Sequence, residues 1–226
     1  MIQRSTIRRG PPFYIESDGK PMGETPQHID NMIYLLEPLR EWFASDPMVY
    51  VGANMFVHYE RDNRNRHVSP DVFVVRGVQK EVRPKRRNYL VWEEGKVPDF
   101  VVELTSETTR EADQTTKRAI YQDVLNVSEY FLFDPFEEYL HPRLQGYRLA
   151  KGVYRPIRPV KGRLPSKVLG LHLEGDGDLL RLYDPAARRR LPISPEVLEA
   201  KKRAEAENER LRREIEELRR RLPGAS

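Results

Sequence analysis

Two carboxylates and one amine in this chain are spaced so that they could do chemistry together. Asp71 follows Pro70 at the mouth of the apolar run 72–75. An acid at the entrance of a buried strand is costly unless it is hydrogen-bonded, paired or holding a metal. Glu103 ends a second apolar run, DFVVE, 32 residues further on. If the two strands are neighbours, the acids converge at one edge of a sheet. Like charges that close repel strongly in a poorly solvated site unless a divalent cation lies between them. Hard oxygen ligands favour Mg²⁺ or Mn²⁺. For either acid alone, a buried ion pair or a turn cap is the simpler account.

Asp113, Lys117 and Tyr121 are spaced i, i+4, i+8 and line one stripe of an expected helix, beside Ile120 and Val124. A lysine on that stripe could reach the acid pair and stabilise developing negative charge or orient a water. The alternative is an Asp–Lys helix pair in solvent. The loop between the acid-bearing strands carries Lys80, Arg83, Lys85, Arg86 and Arg87, which could grip phosphates or simply be solvated. Arg61, Arg64 and Arg66 form a second basic patch, and His28 could touch a phosphate or cap a helix. The sequence holds no phosphate-binding loop, dinucleotide fingerprint or zinc-protease motif.

Elements must place these residues. The stretch ETPQHIDNMIYLLEPLREWF reads as a helix, with Thr25 as N-cap and Pro26 at its first position. Ile29, Met32, Ile33 and Leu36 repeat at helical spacing, and Pro38 should kink or end the run. A short strand is expected near residues 13–16. MVYVGANMFVHYE reads as one strand, followed by the strands after Asp71 and before Thr105. A helix over 110–125 and the buried strand SEYFLFDP come next, so strand–helix–strand implies a right-handed crossover with a parallel pair. Asp-Gly between alternating runs predicts a hairpin around GDGD. The class is mixed α/β with a large antiparallel share.

From Pro195 the chain has no strand character and carries nine basic and eight acidic residues. With Asn208 at a heptad a position, Leu211, Ile215, Leu218 and Leu222 follow at d, a, d and a. The g-to-e′ pairs Glu207–Arg212 and Glu214–Arg219 have opposite signs. That is the pattern of a short parallel two-stranded coiled coil with a polar register residue. A single helix held by i,i+4 charge pairs is the competing account. The expected organisation is a core over 1–185, a linker over 186–194 and a coiled-coil helix over 195–222.

The 226 residues suffice for one domain with a real core plus an extension. Net charge is +4, which permits a polyanion partner without requiring one. No cysteine is present, so disulfides and thiolate chemistry are excluded. The N-terminus lacks an apolar signal core and no run approaches membrane-spanning length, so a soluble cytoplasmic protein is expected, with no membrane partner.

Taken together, SPD, VVELTS, DxxxKxxxY and SEYFLFDP resemble the Uma2 family, a group of PD-(D/E)XK nuclease type. The resemblance spans roughly residues 10–185. It implies a restriction-endonuclease-like core sheet flanked by helices, with added hairpins, acting on DNA as a metal-dependent endonuclease without organic cofactor. In that pattern Asp71, Glu103 and the carbonyl of Leu104 hold Mg²⁺ or Mn²⁺. The pattern's lysine, two residues after the second acid, is absent because Thr105 stands there; Lys117 on the following helix is the matching residue. Asp113 would orient Lys117, and Tyr121 would pack. Glu24 or Glu16 would complete the site, and His28 would support it. A dimer would present two sites. The alternatives are a non-catalytic DNA-binding or regulatory module and a structural adaptor.

Overall fold

A computed structural model describes residues 25–81 and 85–221. The short strand expected at 13–16 and the acids Glu16 and Glu24 lie outside the described residues, as does Arg83. Contacts divide the chain into two compact units, one ending at Arg190 and the other beginning at Leu191.

Helix α1 spans Pro26–Trp42 and begins as expected: the Thr25 side chain accepts from the His28 main-chain N–H. Pro38 does not end it. A proline inside a helix costs ~3 kcal/mol. Leu39 and Phe43, at 0% and 7% exposure, lie beyond it. Burying each contributes about 1.5–3 kcal/mol, enough to carry the helix through. The buried face is His28, Asn31, Leu35 and Leu39; Ile29 is exposed. Polar residues occupy that face because each finds a partner. Asn31 donates to the carbonyls of Gln27 and Asp178 and accepts the N–H of Leu180.

Among the described residues the main sheet has six strands: β1 (Val49–Ala53), β4 (Val72–Arg76), β6 (Phe100–Leu104), β7 (Glu129–Phe133), β8 (Leu144–Ala150) and β9 (Val153–Pro156), in that spatial order. All neighbours are antiparallel except β6 and β7, which run parallel and are joined by a helical crossover. The expected single strand over 48–60 is two: at Asn54 the backbone has φ of 43°, which breaks β1 from β2 (Val57–His58). Strand β2 pairs with β3 (His67–Val68) and β5 (Tyr89–Leu90), and the one-turn helix α2 (Val91–Glu94) follows. A four-stranded sheet, β10 (Leu164–Pro165), β11 (His172–Asp176), β12 (Leu179–Asp184) and β13 (Arg189–Arg190), contains the hairpin expected around GDGD.

Side-chain alternation divides the core. Phe73, Val75, Val101, Tyr130 and Leu132 form one cluster with Tyr121 of the crossover helix. Val72, Val74, Phe100, Val102, Phe131 and Phe133 point the other way and are equally buried, and α1 packs against β1, β4 and β6. Such a two-sided sheet explains why β4, β6 and β7 read as nearly continuous apolar runs. In the second unit, α4 (Ser194–Arg221) is a single long helix.

Candidate active site

Strand register carries the two acids together. Val72 pairs with Val102 across the antiparallel β4–β6 ladder. One step further sets Asp71 opposite Glu103, on the same face. The Leu104 main-chain N–H donates to Asp71 Oδ2 at 2.7 Å, which holds the carboxylate against the end of β6. His28 Nε2 lies 3.2 Å from Asp71 Oδ1. The N–H of Asn54 donates to the carbonyls of Pro70 and Asp71, so the end of β1 braces the same turn. Asp71 is thus hydrogen-bonded from a strand end and from a helix start, which offsets the cost of placing it there.

The crossover helix α3 starts as an α-helix at Arg110–Ala112 and then widens into two π turns, Asp113–Lys117 and Ile120–Val124. The sequence pattern predicts a plain α-helix here. At 3.6 residues per turn, residues eight apart drift by ~80° around the axis. A π turn uses i→i+5 bonds and turns less per residue, so i, i+4 and i+8 stay closer to one line. Lys117 and Tyr121 accordingly both reach one carboxylate. Lys117 Nζ is 2.9 Å from Glu103 Oε2 and 3.0 Å from Asp113 Oδ1. The Tyr121 hydroxyl donates to Glu103 Oε1 at 2.6 Å. Tyr130 donates to the Asp113 carbonyl at 2.8 Å, and its ring meets that of Tyr121 at a tilt of 46° with centroids 5.1 Å apart, pinning the helix to β7.

Glu103 is 0% exposed, and burial pushes its carboxyl well above the ordinary carboxylate range. Lys117 opposes that shift, while Asp71 and Asp113 reinforce it. Burial also raises the Asp113 carboxyl, against the pull of Lys117. Burial alone would lower the Lys117 amine; Glu103, Asp113 and Asp71 outweigh it and hold the amine above its usual value. Two protonatable acids flanking a firmly charged ammonium are the outcome. The Tyr121 hydroxyl is raised by burial and then by Glu103, so it stays a donor.

The donor set suits a small hard cation. Asp71 and Glu103 share a face, and each carboxylate oxygen retains a further lone pair. Thr105 donates its N–H to Phe133 on the β7 side. Main-chain groups alternate between neighbouring strands, so Leu104 presents its carbonyl to the flank of Asp71. Among the described residues no three His, Cys, Asp or Glu side chains are grouped closely enough to hold an ion. Two carboxylates with a carbonyl nonetheless match Mg²⁺, which keeps several waters and takes one or two carboxylates plus substrate oxygens.

Two of the basic residues face the fold. Lys80 Nζ donates to the carbonyls of Phe43 and Ala44, at 2.5 and 2.9 Å, and so caps α1. Arg86 forms a bidentate pair with Glu94, donates to the Gln79 and Lys80 carbonyls and lies over the Tyr50 ring at 4.4 Å. Phosphate contact, expected of both, runs against this engagement. Lys85 and Arg87 are exposed.

Sequence reasoning missed three features. Tyr121, expected to pack and to support the site rather than to bond an acid, holds Glu103; its i+8 spacing was visible, but its reach depends on the π turns. Asn31 looked like an unremarkable helix residue, yet it ties α1, and with it His28, to the β11–β12 hairpin. Thr105 is buried, and its hydroxyl has no hydrogen-bond partner among the described residues, on the face of Glu103.

Comparison with known proteins adds three findings. The family model Uma2, described as "Putative restriction endonuclease", matches residues 13–175. No curated protein matches. A crystal structure described as "a putative nuclease belonging to DUF820 from Anabaena variabilis ATCC 29413" superposes with a TM-score of 0.49 and 16% identity, over 69% of this chain and 80% of that one.

Proposed function

The chain belongs to the Uma2 family, and on that premise we propose that it is a divalent-metal-dependent endonuclease hydrolysing phosphodiester bonds of DNA. The observation that carries this reading is the convergence of Asp71, Glu103 and Lys117 at one end of the sheet. A Mg²⁺ or Mn²⁺ ion held by Asp71, Glu103 and the Leu104 carbonyl would neutralise charge on the scissile phosphate and acidify water. His28 and the Leu104 N–H orient Asp71. Tyr121 orients Glu103. Lys117 has three N–H donors. Two face Glu103 and Asp113, and the third serves the attacking water or a phosphate oxygen, where it stabilises charge as it develops. Asp113 keeps the ammonium charged and aimed.

The proposal includes a dimer formed through α4. Leu211, Ile215 and Leu218 of that helix are 43%, 50% and 51% exposed in the single chain, the stripe expected of a coiled-coil seam. Two copies would supply two sites for two strands.

The test is plasmid nicking by purified protein with Mg²⁺ or Mn²⁺, abolished by Asp71→Ala. Intact plasmid with every divalent metal would refute the reading. One observation favours a non-catalytic DNA-binding module instead: both Glu103 oxygens are already engaged, by Lys117 and Tyr121. Metal-independent DNA binding that survives Asp71→Ala, without nicking, would establish that alternative.

A further inference from the structure

The hairpin β2–β3 grows out of the candidate site. Its first strand begins three residues after Asn54, whose N–H is bonded to the Pro70 and Asp71 carbonyls. Its second strand, His67–Val68, runs through two residues into Asp71. Both stems are therefore rooted at one acid. The tip, residues 60–66, is ordered by its own bonds. The Tyr59 N–H donates to the Arg66 carbonyl, and the Arg66 N–H to that of Asn63. The Asn63 side chain donates to Glu60 and accepts from the Asn65 N–H. His67 Nδ1 bonds the Arg64 carbonyl. Arg66 pairs with Glu60 in solvent, and with Asp62 also in the tip its three arginines outnumber its two acids. Arg61 and Arg64 remain exposed.

We propose that this arm is the site's grip on the DNA backbone, with Arg61 and Arg64 contacting phosphates beside the scissile one. The proposal rests on the reading of DNA as substrate and names the surface that binds it. Arg64 is seven residues from Asp71, so at most ~25 Å of extended chain separates them. That is less than one helical turn of duplex, ~34 Å. The tip's own bonds fix where Arg61 and Arg64 leave the chain before DNA arrives, and guanidinium suits phosphate oxygens geometrically. The basic stretch after β4 is a poorer candidate, because Lys80 and Arg86 hold α1 and Glu94.

The experiment measures binding of the full-length protein to a fluorescent 30-base-pair DNA duplex by anisotropy, with Ca²⁺ replacing Mg²⁺, across a salt series. Each phosphate contact contributes about 0.9 to the slope of log K against log salt. Replacing both arm residues, Arg61→Ala with Arg64→Ala, should lower that slope by about 1.8 and weaken binding about tenfold near physiological salt. Lys85→Ala with Arg87→Ala should leave the slope unchanged. An unchanged slope in the arm variant, an equal fall in the control, or no duplex binding by the wild type would each overturn the proposal. Arm-dependent binding without nicking under any metal would refute the nuclease reading and leave the arm standing. Nicking with unaltered dependence on plasmid concentration in the arm variant would refute the arm alone.

Discussion

The Tyr121 hydroxyl donates to Glu103 Oε1 at 2.6 Å, from a side chain with no exposure to solvent. One residue thus packs the core and holds a site acid. Tyr121→Phe keeps the ring and removes the bond, leaving a buried carboxylate oxygen short of a donor. That should cost about 1–3 kcal/mol by urea denaturation. Nicking should fall while the far-ultraviolet circular dichroism stays unchanged. A variant as stable and as active as wild type would show that the bond does nothing.

Glu103 gives the stability a definite pH dependence. Burial raises its carboxyl above the ordinary value of 4.5, so the folded state binds this proton more tightly than the unfolded chain. The contribution is complete below the unfolded value and is lost as pH rises through the raised one. Lys117, held above 10.5, keeps its contribution across that whole window and loses it only at higher pH. Wild type should therefore lose stability from about pH 4.5 upward, by as much as about 1.4 kcal/mol per unit where one proton separates the states. Glu103→Gln should flatten the curve. Parallel urea midpoints against pH in the two proteins would contradict this account.

Lys117 stands between two carboxylates, with its side chain 22% exposed. Lys117→Met leaves Glu103 and Asp113 facing each other without the ammonium. Removing one partner of a buried pair costs ~3–5 kcal/mol, and residual exposure sets the expectation at the lower end. The penalty should shrink from neutral toward acid pH, as the raised carboxyls take up protons. Nicking should drop to background. A variant destabilised equally at neutral and acid pH would mean that packing, not charge, accounts for the loss.

How far the sequence carried this site depends on the kind of contact. Asp71 and Glu103 were legible because apolar runs with an acid at one end announce strands, and strand ends meet in a sheet. The β6–β7 crossover and the β11–β12 hairpin followed from local patterning for the same reason. The π turns were not legible, since DQTTK and IYQDV are compatible with α-helix, and the bonds that accompany the wider turns, Tyr121 to Glu103 and Tyr130 to Asp113, are long-range. Nor could the sequence show that Arg86 finds Glu94 and Tyr50, or Lys80 the end of α1. A charge run looks the same whether its heads meet water or carbonyls. The buried face of α1 was not legible, because His28 and Asn31 are polar, and their partners lie 43 and 149 residues away.

The tail carries its own prediction. Within α4, i,i+4 pairs such as Glu199–Arg203 and Glu209–Arg213 support a lone helix, and Glu207, expected to pair across a dimer, here meets Arg210 of its own chain. Exposed i,i+4 pairs contribute only about 0.3–0.5 kcal/mol each and leave the apolar stripe in water. Pairing two copies along Leu211, Ile215 and Leu218 would bury it, with Asn208 setting the register. Multi-angle light scattering of the full-length protein should then give the mass of two chains. Ile215→Lys together with Leu211→Lys puts charge into the seam and should halve that mass, without changing the thermal transition of the core. A wild-type mass of one chain at every concentration run would rule out the pairing.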